Sequence, residues 1–454
     1  MKSYVFVLFS ILIGIACTDK SGKSTELSSN QASPKHPNII ILFCDDLGYG
    51  DLGITGHPNI KTPNLDHMAG EGMRLTNFYS GSPACTASRY ALLTGRYPIR
   101  SGFDWVLYPA SERGIHPEEV TLAEALKNVG YATAGYGKWH LGTTKKEYLP
   151  LQNGFDEYLG LPYSNDMRPP KWPDIALLKG NDTLELNPDQ RKLTELYTRE
   201  AMDFMQRKQN EPFFVYLPYA MPHVPLFPGE NFEGKSKRGI YGDVVEEIDW
   251  SVGQILAHLK NLKLDKNTLV FFTSDNGPWI IRGLNGGSSG LFKDGKGSTW
   301  EGGMRVPAIA WGPGMVPAGT TNTQTASVID LYRTMITLAG GTVQESAKVD
   351  GLEFTDVLLG NAIPMADRTL FYYGLSNKLM AVRKGKWKLH TETYSQTGKD
   401  YFEGKLPLLF NLDTDPSEEH DVSDQQPELV AELIDLIRQQ QEKMEVEGTY
   451  FDEN

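Results

Sequence analysis

A cysteine and an arginine lie at helical spacing in a stretch of the chain whose residue types suit chemistry on an anion. Residues 82–96 read SPACTASRYALLTGR, with Cys85 four positions before Arg89. Serine, proline and threonine near Cys85 favour a helix start, and the apolar residues 90–93 supply a helix body, so we expect Cys85 in the first turn. A helix N-terminus favours an anion, and Arg89 at i+4 shares the face of Cys85. Cys85 is therefore a candidate nucleophile, although a lone cysteine is more often a small buried hydrophobic residue.

Acidic and amide side chains follow two apolar runs that read as buried strands. Asp45 and Asp46 come directly after one run, and Asp275 and Asn276 follow another. Because the carboxyl ends of neighbouring parallel strands meet at one edge of a sheet, we expect these side chains to converge. Acidic residues and Asn-Gly are also common turn formers, so either pair alone is weak. Together they predict an all-oxygen site for a hard divalent cation such as Ca²⁺ or Mg²⁺.

Cationic and proton-transferring side chains lie in three further segments. Lys138 and His140 belong to the sequence GKWH, His223 belongs to AMPHVP, and Lys296 lies in the glycine-rich loop 290–303. Glycine permits a close backbone approach to an anion. The alternative is that the lysines are solvated surface charges and the histidines structural, which is the commoner case for single residues of these types.

Alternating strand and helix patterns must position these residues. The predicted strands are 38–44, 131–135, 213–217, 268–273 and 308–311, and the predicted helices are 121–130, 243–262 and 327–339. A capping box, Thr121 to Glu124, opens the first of these helices. The alternation predicts a three-layer αβα domain with a large, mostly parallel mixed sheet, which we assign to residues 37–367.

The pattern changes after about residue 368. Short strand-like segments at 369–373, 379–383, 387–390 and 408–411 precede one helix at 427–444. Short strands close together along the chain favour antiparallel pairing. We therefore predict a small C-terminal α+β subdomain, residues 368–454, with an antiparallel sheet.

The net charge of the chain limits its partners. The 454 residues carry a formal charge of −13. Nucleic-acid-binding proteins concentrate an excess of lysine and arginine on one face, so we expect no nucleic-acid partner. An anionic substrate would have to be captured by a local basic pocket.

The N-terminus reads as an export signal. Residues 1–17 contain Lys2 and an apolar core of signal-peptide length, and they end at Cys17. The end of this core resembles a bacterial lipoprotein signal, with Gly14 where leucine is usual, and lipid on Cys17 would attach the protein to a membrane. The polar residues 18–36 fit a flexible tether. We expect an exported protein, periplasmic or anchored to the outer membrane of a Gram-negative bacterium; a signal cleaved without lipid is the alternative.

Several motifs in this order resemble those of the formylglycine-dependent sulfatases. They are DD at 45–46, CTASR and ALLTGR within 85–96, GKWH at 137–140, DNG at 275–277 and GKGSTWEGG at 295–303. The similarity extends from Pro37 into the C-terminal region. It is closest to the arylsulfatase A and N-acetylgalactosamine-6-sulfatase branch, through PIRSG at 98–102, GLPYSND at 160–166 and the position of His223. Motifs repeated in one order are far more specific than any single match.

The resemblance implies an alkaline-phosphatase-like fold and a role for each position. A formylglycine-generating maturase would oxidise Cys85 to formylglycine, which hydrates to a geminal diol. Ca²⁺ would be held by an oxygen of that diol together with Asp45, Asp46, Asp275 and Asn276. The other implied roles are a brace for the diol at Arg89, sulfate binding at Lys138, Ser164 and Lys296, activation of the diol at His140 and protonation of the leaving alcohol at His223.

One position departs from the family pattern. The modification signal usually has proline two residues after the cysteine, and here Ala87 takes its place. We expect a radical-type maturase to accept it, and we expect a sulfated carbohydrate as substrate. Two alternatives stay open: a phosphonate or phosphate monoester hydrolase of the same superfamily, and a non-catalytic sulfoglycan-binding lipoprotein if Cys85 is not oxidised. Trp105, Trp279 and Trp300 flank the motifs as either sugar-stacking platforms or core aromatics.

Overall fold

Strand β1, Asn38–Cys44, is buried on both faces at the centre of the main sheet. Ile39 and Ile41 join one apolar core, whereas Ile40 and Leu42 join a second core on the opposite face of the sheet. A strand buried on both faces needs a layer of helices on each side. The continuous apolar run in the sequence therefore has its physical origin in a three-layer arrangement.

The structure is a computed structural model that describes Met1 and residues 36–103, 105–344, 347–361 and 368–450. Apart from Met1 and His36, the predicted leader 1–17 with Cys17 and the predicted tether 18–36 lie outside the described residues. All elements below belong to one compact unit, Pro34–Asn454. Within the described ranges, no helix combines the length and apolar character required to cross a bilayer.

The described residues contain strands β2 to β16 besides β1. They are β2 Met73–Leu75, β3 Phe78–Tyr79, β4 Ala132–Tyr136, β5 Glu157–Gly160, β6 Ala176–Lys179, β7 Asp182–Leu186, β8 Phe213–Pro218, β9 Thr268–Ser274, β10 Ile309–Trp311, β11 Thr320–Asn322, β12 Ala326–Ser327, β13 Thr369–Tyr373, β14 Leu379–Lys384, β15 Trp387–His390 and β16 Leu408–Asn411. The α-helices in the same ranges are α1 Pro63–Gly70, α2 Cys85–Thr94, α3 Leu122–Lys127, α4 Leu193–Arg207, α5 Ile240–Asn261, α6 Glu301–Met304, α7 Val328–Leu338, α8 Thr355–Leu358 and α9 Pro427–Glu447.

The main sheet has ten strands in the described part of the chain, in the order β11-β2-β10-β9-β1-β8-β4-β5-β6-β7. The five strands from β9 to β5 run parallel, and antiparallel pairs lie on both sides of them. Helices α2, α3 and α7 contribute to one core, and α1, α4 and α5 to the other. The predicted three-layer fold and all five predicted strands are confirmed. The short outer strands and helices α1 and α4 were not predicted.

The C-terminal region forms a separate antiparallel sheet of four strands, β13-β14-β15-β16, followed by helix α9. This confirms the predicted sheet. A fully buried charge cluster joins it to the loop that follows Lys296. Lys388 Nζ donates to the backbone carbonyl of Thr299 at 2.8 Å and lies 2.9 Å from a carboxylate oxygen of Glu301 and 3.0 Å from one of Glu418. The C-terminal sheet therefore supports a loop of the predicted site.

We expect Lys388→Met to lower the free energy of unfolding by about 3–5 kcal/mol, because it removes the buried cation that two buried carboxylates share. Urea unfolding followed by circular dichroism measures this. The matched control is Lys386→Met in the same hairpin, where the lysine is exposed and the expected change is within about 0.5 kcal/mol. Equal stabilities of the two variants would contradict the assigned role of the cluster.

Candidate active site

The carboxyl ends of four adjacent parallel strands, β9, β1, β8 and β4, meet at one edge of the main sheet. This is where ligands bind in open α/β sheets. The segments that leave these ends carry most of the residues predicted from sequence: Asp275 and Asn276, Asp45 and Asp46, His223, and Lys138 and His140. All of them are at least nine-tenths buried.

Helix α2 begins at Cys85, as predicted, with Ala84 in the N-cap position. The Cys85 thiol is buried and points to the imidazole of His140, with 3.3 Å between Sγ and Nδ1. Burial raises the pKa of this thiol above its usual value, against the lowering effect of Lys138. The helix start thus places the side chain of residue 85 inside the cluster of charged groups.

The orientation of the His140 ring follows from its second nitrogen. Nε2–H donates to the carbonyl oxygen of Leu107 at 2.8 Å. Nδ1 of the neutral ring is then an acceptor, and it faces Cys85. Burial, and after it the charge of Lys138, hold the pKa of His140 well below its usual range. His140 is therefore a neutral base aimed at residue 85.

Arg89 lies one helical turn after Cys85 and is completely buried. Its guanidinium donates to a carboxylate oxygen of Asp275 at 2.8 Å and to the carbonyl of Lys138 at 3.1 Å, and lies 3.7 Å from Asp45. Burial acts to lower the pKa of Arg89, but Asp275 and Asp45 raise it. Arg89 is thus a fixed positive charge between two strand ends.

Three carboxylates share the site with three cations. Lys138 Nζ lies 2.5 Å from Asp45 Oδ2, and Lys296 Nζ lies 2.7 Å from Asp46 Oδ1. Burial acts to raise the pKa of Asp45, yet the charge of Lys138 holds it below its usual range. Burial and the neighbouring charge of Asp45 raise the pKa of Asp275 to about 7. A bound cation would offset the repulsion between the carboxylates of Asp275 and Asp45.

Two of the predicted ligand atoms fit a metal ion directly. Asp45 Oδ1 and Asn276 Oδ1 are buried, and neither has a hydrogen-bond partner among the described residues. Buried oxygens of this kind are normally satisfied, and a hard cation accepts them as ligands. Ligand atoms of Asp45, Asp46 and His223 also lie within 4.8 Å of one another. The donor set therefore fits a divalent cation.

His223 approaches the acidic cluster at Asp46. Its Nδ1–H donates to the carbonyl oxygens of Val224, at 2.6 Å, and of the Asn165 side chain, at 3.0 Å. Nε2 consequently faces the site, 3.6 Å from Asp46 Oδ2. Burial and then Lys296 lower the pKa of His223. Asn165, which fixes this ring, was not predicted, although it lies beside the predicted Ser164.

Backbone conformation in the site is unusual at two functional positions. Asp46 and His140 adopt φ values of 66° and 62°, a region that non-glycine residues rarely occupy. Such strain persists only where the surrounding structure imposes it, and it is concentrated at functional sites. Close packing also explains one motif glycine, because a Cβ atom on Gly137 would lie 1.8 Å from the carbonyl oxygen of Pro218.

Family models match almost the whole described chain. The model described as "Sulfatase" matches residues 37–341, and the model for the C-terminal region of aryl-sulfatase matches residues 365–453. The chain belongs to the sulfatase family. The family predicted from the motifs is therefore confirmed.

Individual sulfatases are similar over most of their length. N-acetylgalactosamine-6-sulfatase of Canis lupus familiaris is 41% identical to this chain over an alignment of 461 residues. The alignment covers 92% of this chain and 88% of the relative. Arylsulfatase A of Homo sapiens is 39% identical, and the alignment covers 91% of this chain and 89% of the relative. A Bacteroides thetaiotaomicron sulfatase solved in work on the metabolism of multiple glycosaminoglycans superposes with a TM-score of 0.80 at 31% identity, covering 89% of this chain and 99% of the other. As a member of the sulfatase family, the present chain is an enzyme that hydrolyses sulfuric esters.

The tryptophans near the sulfatase motifs have different environments. Trp300 is 1% exposed and packs against His390 at 4.4 Å between ring centroids, so of its two predicted alternatives the core aromatic is the one observed. Trp279 is half-buried, 5.2 Å from the His223 ring, and Lys296 Nζ lies 4.5 Å from its centroid. Trp105 is half-buried and lines a small cavity. Of the three, Trp279 is the ring that contacts the site.

The remaining predicted residue, Ser164, also reaches the centre of the sulfatase site. Its hydroxyl accepts from Lys138 Nζ at 3.3 Å. The structure therefore brings together all eleven site residues predicted from sequence. Ser164 joins the cluster through Lys138, and the Asn276 amide donates to a carboxylate oxygen of Asp46 at 2.7 Å.

Proposed function

We propose that this sulfatase hydrolyses sulfate esters of a carbohydrate by means of Ca²⁺ and a formylglycine formed from Cys85. The observation that carries the proposal is the pairing of residue 85 with His140, in which a neutral, oriented base nitrogen lies 3.3 Å from the side chain that would bear the nucleophile. Membership of the sulfatase family supports this chemistry, since the sequence around Cys85 resembles the family's modification signal except at Ala87.

The carboxylates Asp45, Asp46 and Asp275 and the amide oxygen of Asn276 would hold Ca²⁺. The unpartnered oxygens of Asp45 and Asn276 support this assignment. When bound, the ion would supply positive charge next to the attacking oxygen and the sulfate, where a negatively charged ester would otherwise repel a nucleophile.

The nucleophile and its base lie at the start of α2. The hydrated aldehyde supplies a hydroxyl for attack on sulfur and a second hydroxyl whose loss of a proton lets the sulfate leave. His140 Nδ1 accepts a proton from residue 85, because its Nε2–H is committed to the Leu107 carbonyl. Arg89, fixed by Asp275, keeps a positive charge one turn from residue 85.

The sulfate oxygens bind to Lys138, Lys296 and Ser164 in this proposal. Both ammonium groups already lie within the cluster, 2.5 Å from Asp45 and 2.7 Å from Asp46, so little reorganisation is needed to hold an anion between them. Preorganised charges in a buried site stabilise a transition state more than the same charges in water. These three side chains therefore provide the anion clamp.

His223 donates a proton from Nε2 to the leaving alcohol when both ring nitrogens are protonated, and the donation leaves a neutral ring with its proton on Nδ1. Its Nδ1–H bonds to Val224 and Asn165 fix the ring with Nε2 directed into the site. A proton donor matters most for a poor leaving group such as a sugar alkoxide and least for a good one such as a nitrophenolate.

We expect His223→Gln to slow hydrolysis of a sugar sulfate by about 10²–10⁴-fold, and to slow hydrolysis of 4-nitrophenyl sulfate much less, because that leaving group needs no proton. Steady-state kinetics on both esters measures the difference. The contrasting variant is His140→Gln, which should slow both esters alike, since it acts on the nucleophile. Equal losses on the two esters in His223→Gln would refute its assigned role.

The relatives suggest which carbohydrates to test. One relative is named for N-acetylgalactosamine 6-sulfate, and one structural neighbour for glycosaminoglycan metabolism. The decisive experiment compares the protein matured in a host that has a formylglycine-generating enzyme on 4-nitrocatechol sulfate, N-acetylgalactosamine 6-sulfate and phenyl phosphonate esters. We expect release of sulfate from the first two. Faster hydrolysis of the phosphonates would favour the monoester hydrolase alternative.

We also propose export and a lipid anchor on Cys17. The support is the apolar core of residues 1–17 and the polar tether 18–36. Metabolic labelling with a fatty acid should mark the wild type and leave Cys17→Ser unlabelled. Labelling that survives the substitution would remove the lipid assignment.

A further inference from the structure

Three exposed cations near the mouth of the site are held by aromatic rings. We name them the rim cations: Arg168, Lys171 and Arg282. The charged groups lie 5.2 Å from the ring centroid of Phe227, 4.9 Å from that of Trp172 and 3.8 Å from that of Trp279, respectively. Within the described part of the chain, none of the three has a carboxylate within 4.0 Å. An aromatic face orients a cation without neutralising it.

Arg282 lies on the His223 side of the site. It stacks on Trp279, and the Trp279 ring is 5.2 Å from the imidazole of His223. The Trp279 indole N–H donates to the side chain of Gln396 at 2.6 Å, which fixes the ring. Arg238 donates to two carbonyls of the same loop, residues 279–286. The Arg282 guanidinium is therefore presented by an anchored loop next to the position of the leaving alcohol.

Lys171 lies on the His140 side of the site. Its partner ring, Trp172, stacks on Tyr108 with centroids 5.1 Å apart and an interplanar angle of 13°. Tyr108 directly follows Leu107, whose carbonyl orients His140. Arg282 is thus linked to His223 through Trp279, and Lys171 is linked through Trp172 to Tyr108, the neighbour of the residue that orients His140.

A cavity of about 500 Å³ opens beside Arg282, lined also by Asp166, Leu226 and Asn285. Arg168 follows Asp166 by two residues, and its ring partner follows Leu226. The cavity wall begins at Val224, the residue after His223. The cavity is therefore lined by one rim cation, Arg282, and its wall starts next to His223.

The rim cations differ from several other exposed arginines, which pair with carboxylates. Arg207 pairs with Glu157 at 2.5 Å and Arg438 with Glu442 at 2.6 Å. The chain as a whole carries a net charge of −13. A local surplus of unpaired cations on an acidic protein attracts and orients an anionic ligand at that place.

We propose that the rim cations bind further anionic groups of a multiply charged sulfated oligosaccharide, outside the position of the sulfate that is hydrolysed. The inference rests on the proposed function and names its substrate class. One sulfate lies in the clamp of Lys138 and Lys296, the sugar occupies the cavity, and neighbouring sulfates or carboxylates contact the rim. A substrate with a single charge uses only the clamp.

The test uses the matured full-length enzyme with 4-nitrocatechol sulfate as reporter and multiply sulfated maltohexaose as competitor. We expect competitive inhibition that weakens as salt rises, because exposed charges are screened. In the triple variant R168Q/K171Q/R282Q, the inhibition constant of the sulfated maltohexaose should rise about tenfold, since three exposed ionic contacts are lost. The KM for the reporter should change much less. Uncharged maltohexaose should not inhibit.

The matched control is Lys386→Gln. Lys386 is exposed and stacks on Trp387 with Nζ 5.5 Å from the ring centroid, but it lies in a hairpin turn at the opposite end of β15 from His390. Its substitution should leave inhibition unchanged. No inhibition of the wild type, non-competitive inhibition, or an equal constant in the triple variant would overturn the proposal for the rim.

Failure of the proposed function has a different signature. A matured wild type that does not hydrolyse 4-nitrocatechol sulfate would refute the function without testing the rim. Isothermal titration calorimetry of the sulfated maltohexaose then measures the rim directly. Affinity about tenfold lower in the triple variant supports the rim, and equal affinity overturns it.

Discussion

Replacement of Cys85 by alanine is expected to reduce sulfate ester turnover by about 10³-fold or more, because the variant lacks the side chain from which the proposed nucleophile would be formed. The fold should persist. The thiol is buried at the first turn of α2, and removal of one small side chain from a core costs about 1–2 kcal/mol. Turnover of 4-nitrocatechol sulfate and the thermal midpoint, measured on the same preparation, separate the two effects.

Cys44 offers a matched control, since it is the other described free cysteine and is also completely buried. Cys44→Ala should retain activity at a similar cost in stability. Mass spectrometry of the wild-type peptide that contains residue 85 should show an aldehyde in place of the CH₂–SH group. An unmodified thiol in the native host would instead favour the sulfoglycan-binding alternative, and an active Cys85→Ala enzyme would exclude the nucleophile.

Removal of calcium is expected to abolish turnover and to lower thermal stability together. The ligand set contains three buried carboxylates, and their mutual repulsion is relieved when a divalent cation binds. A ligand at 100 times its dissociation constant stabilises the folded state by about 2.7 kcal/mol. We expect a chelator to remove that increment and added Ca²⁺ to restore it. Mg²⁺ should restore less, because it requires a tighter octahedral geometry.

Two buried aspartates make this prediction specific. Asp45→Asn should erase the calcium-dependent shift of the thermal midpoint, because one of its oxygens is the unpartnered candidate ligand atom. Asp51 is equally buried, but its carboxylate accepts from Gly48, Ser288 and Tyr241. Asp51→Asn should therefore destabilise the protein with and without calcium and leave the shift intact. The same shift in both variants would show that the metal lies elsewhere.

The sequence predicts the framework of the site because that framework follows from local patterns. A continuous apolar run identifies β1, and parallel neighbours must end at the same edge, so the sequence predicts that Asp45 and Asp275 lie together. Helical spacing likewise predicts that Arg89 lies above Cys85. The C-terminal strands were predicted within a residue or so, since each is short and bounded by turn-forming residues.

Other features depend on contacts that leave no local pattern. The Leu107 carbonyl that orients His140 is a backbone atom, and any residue at that position could supply it. The left-handed conformations of Asp46 and His140 are imposed by the surrounding fold. Trp300 and Trp279 look alike in sequence, yet one packs under the C-terminal sheet and the other contacts His223. Tertiary packing decides between such environments.

The burial of helix α2 sets an order of events during biosynthesis. All ten residues of the helix are buried, and Cys85 is 2% exposed. A modifying enzyme has to reach the side chain that it oxidises, and in the folded protein the Cys85 side chain is buried. Under the proposed chemistry, oxidation of residue 85 must precede packing of the helix. The fraction of protein molecules that become active then depends on the rate of oxidation by the maturase relative to the rate of folding. Conditions that slow folding should therefore raise the specific activity of the purified protein. Treatment of the folded protein with the maturase should not raise it.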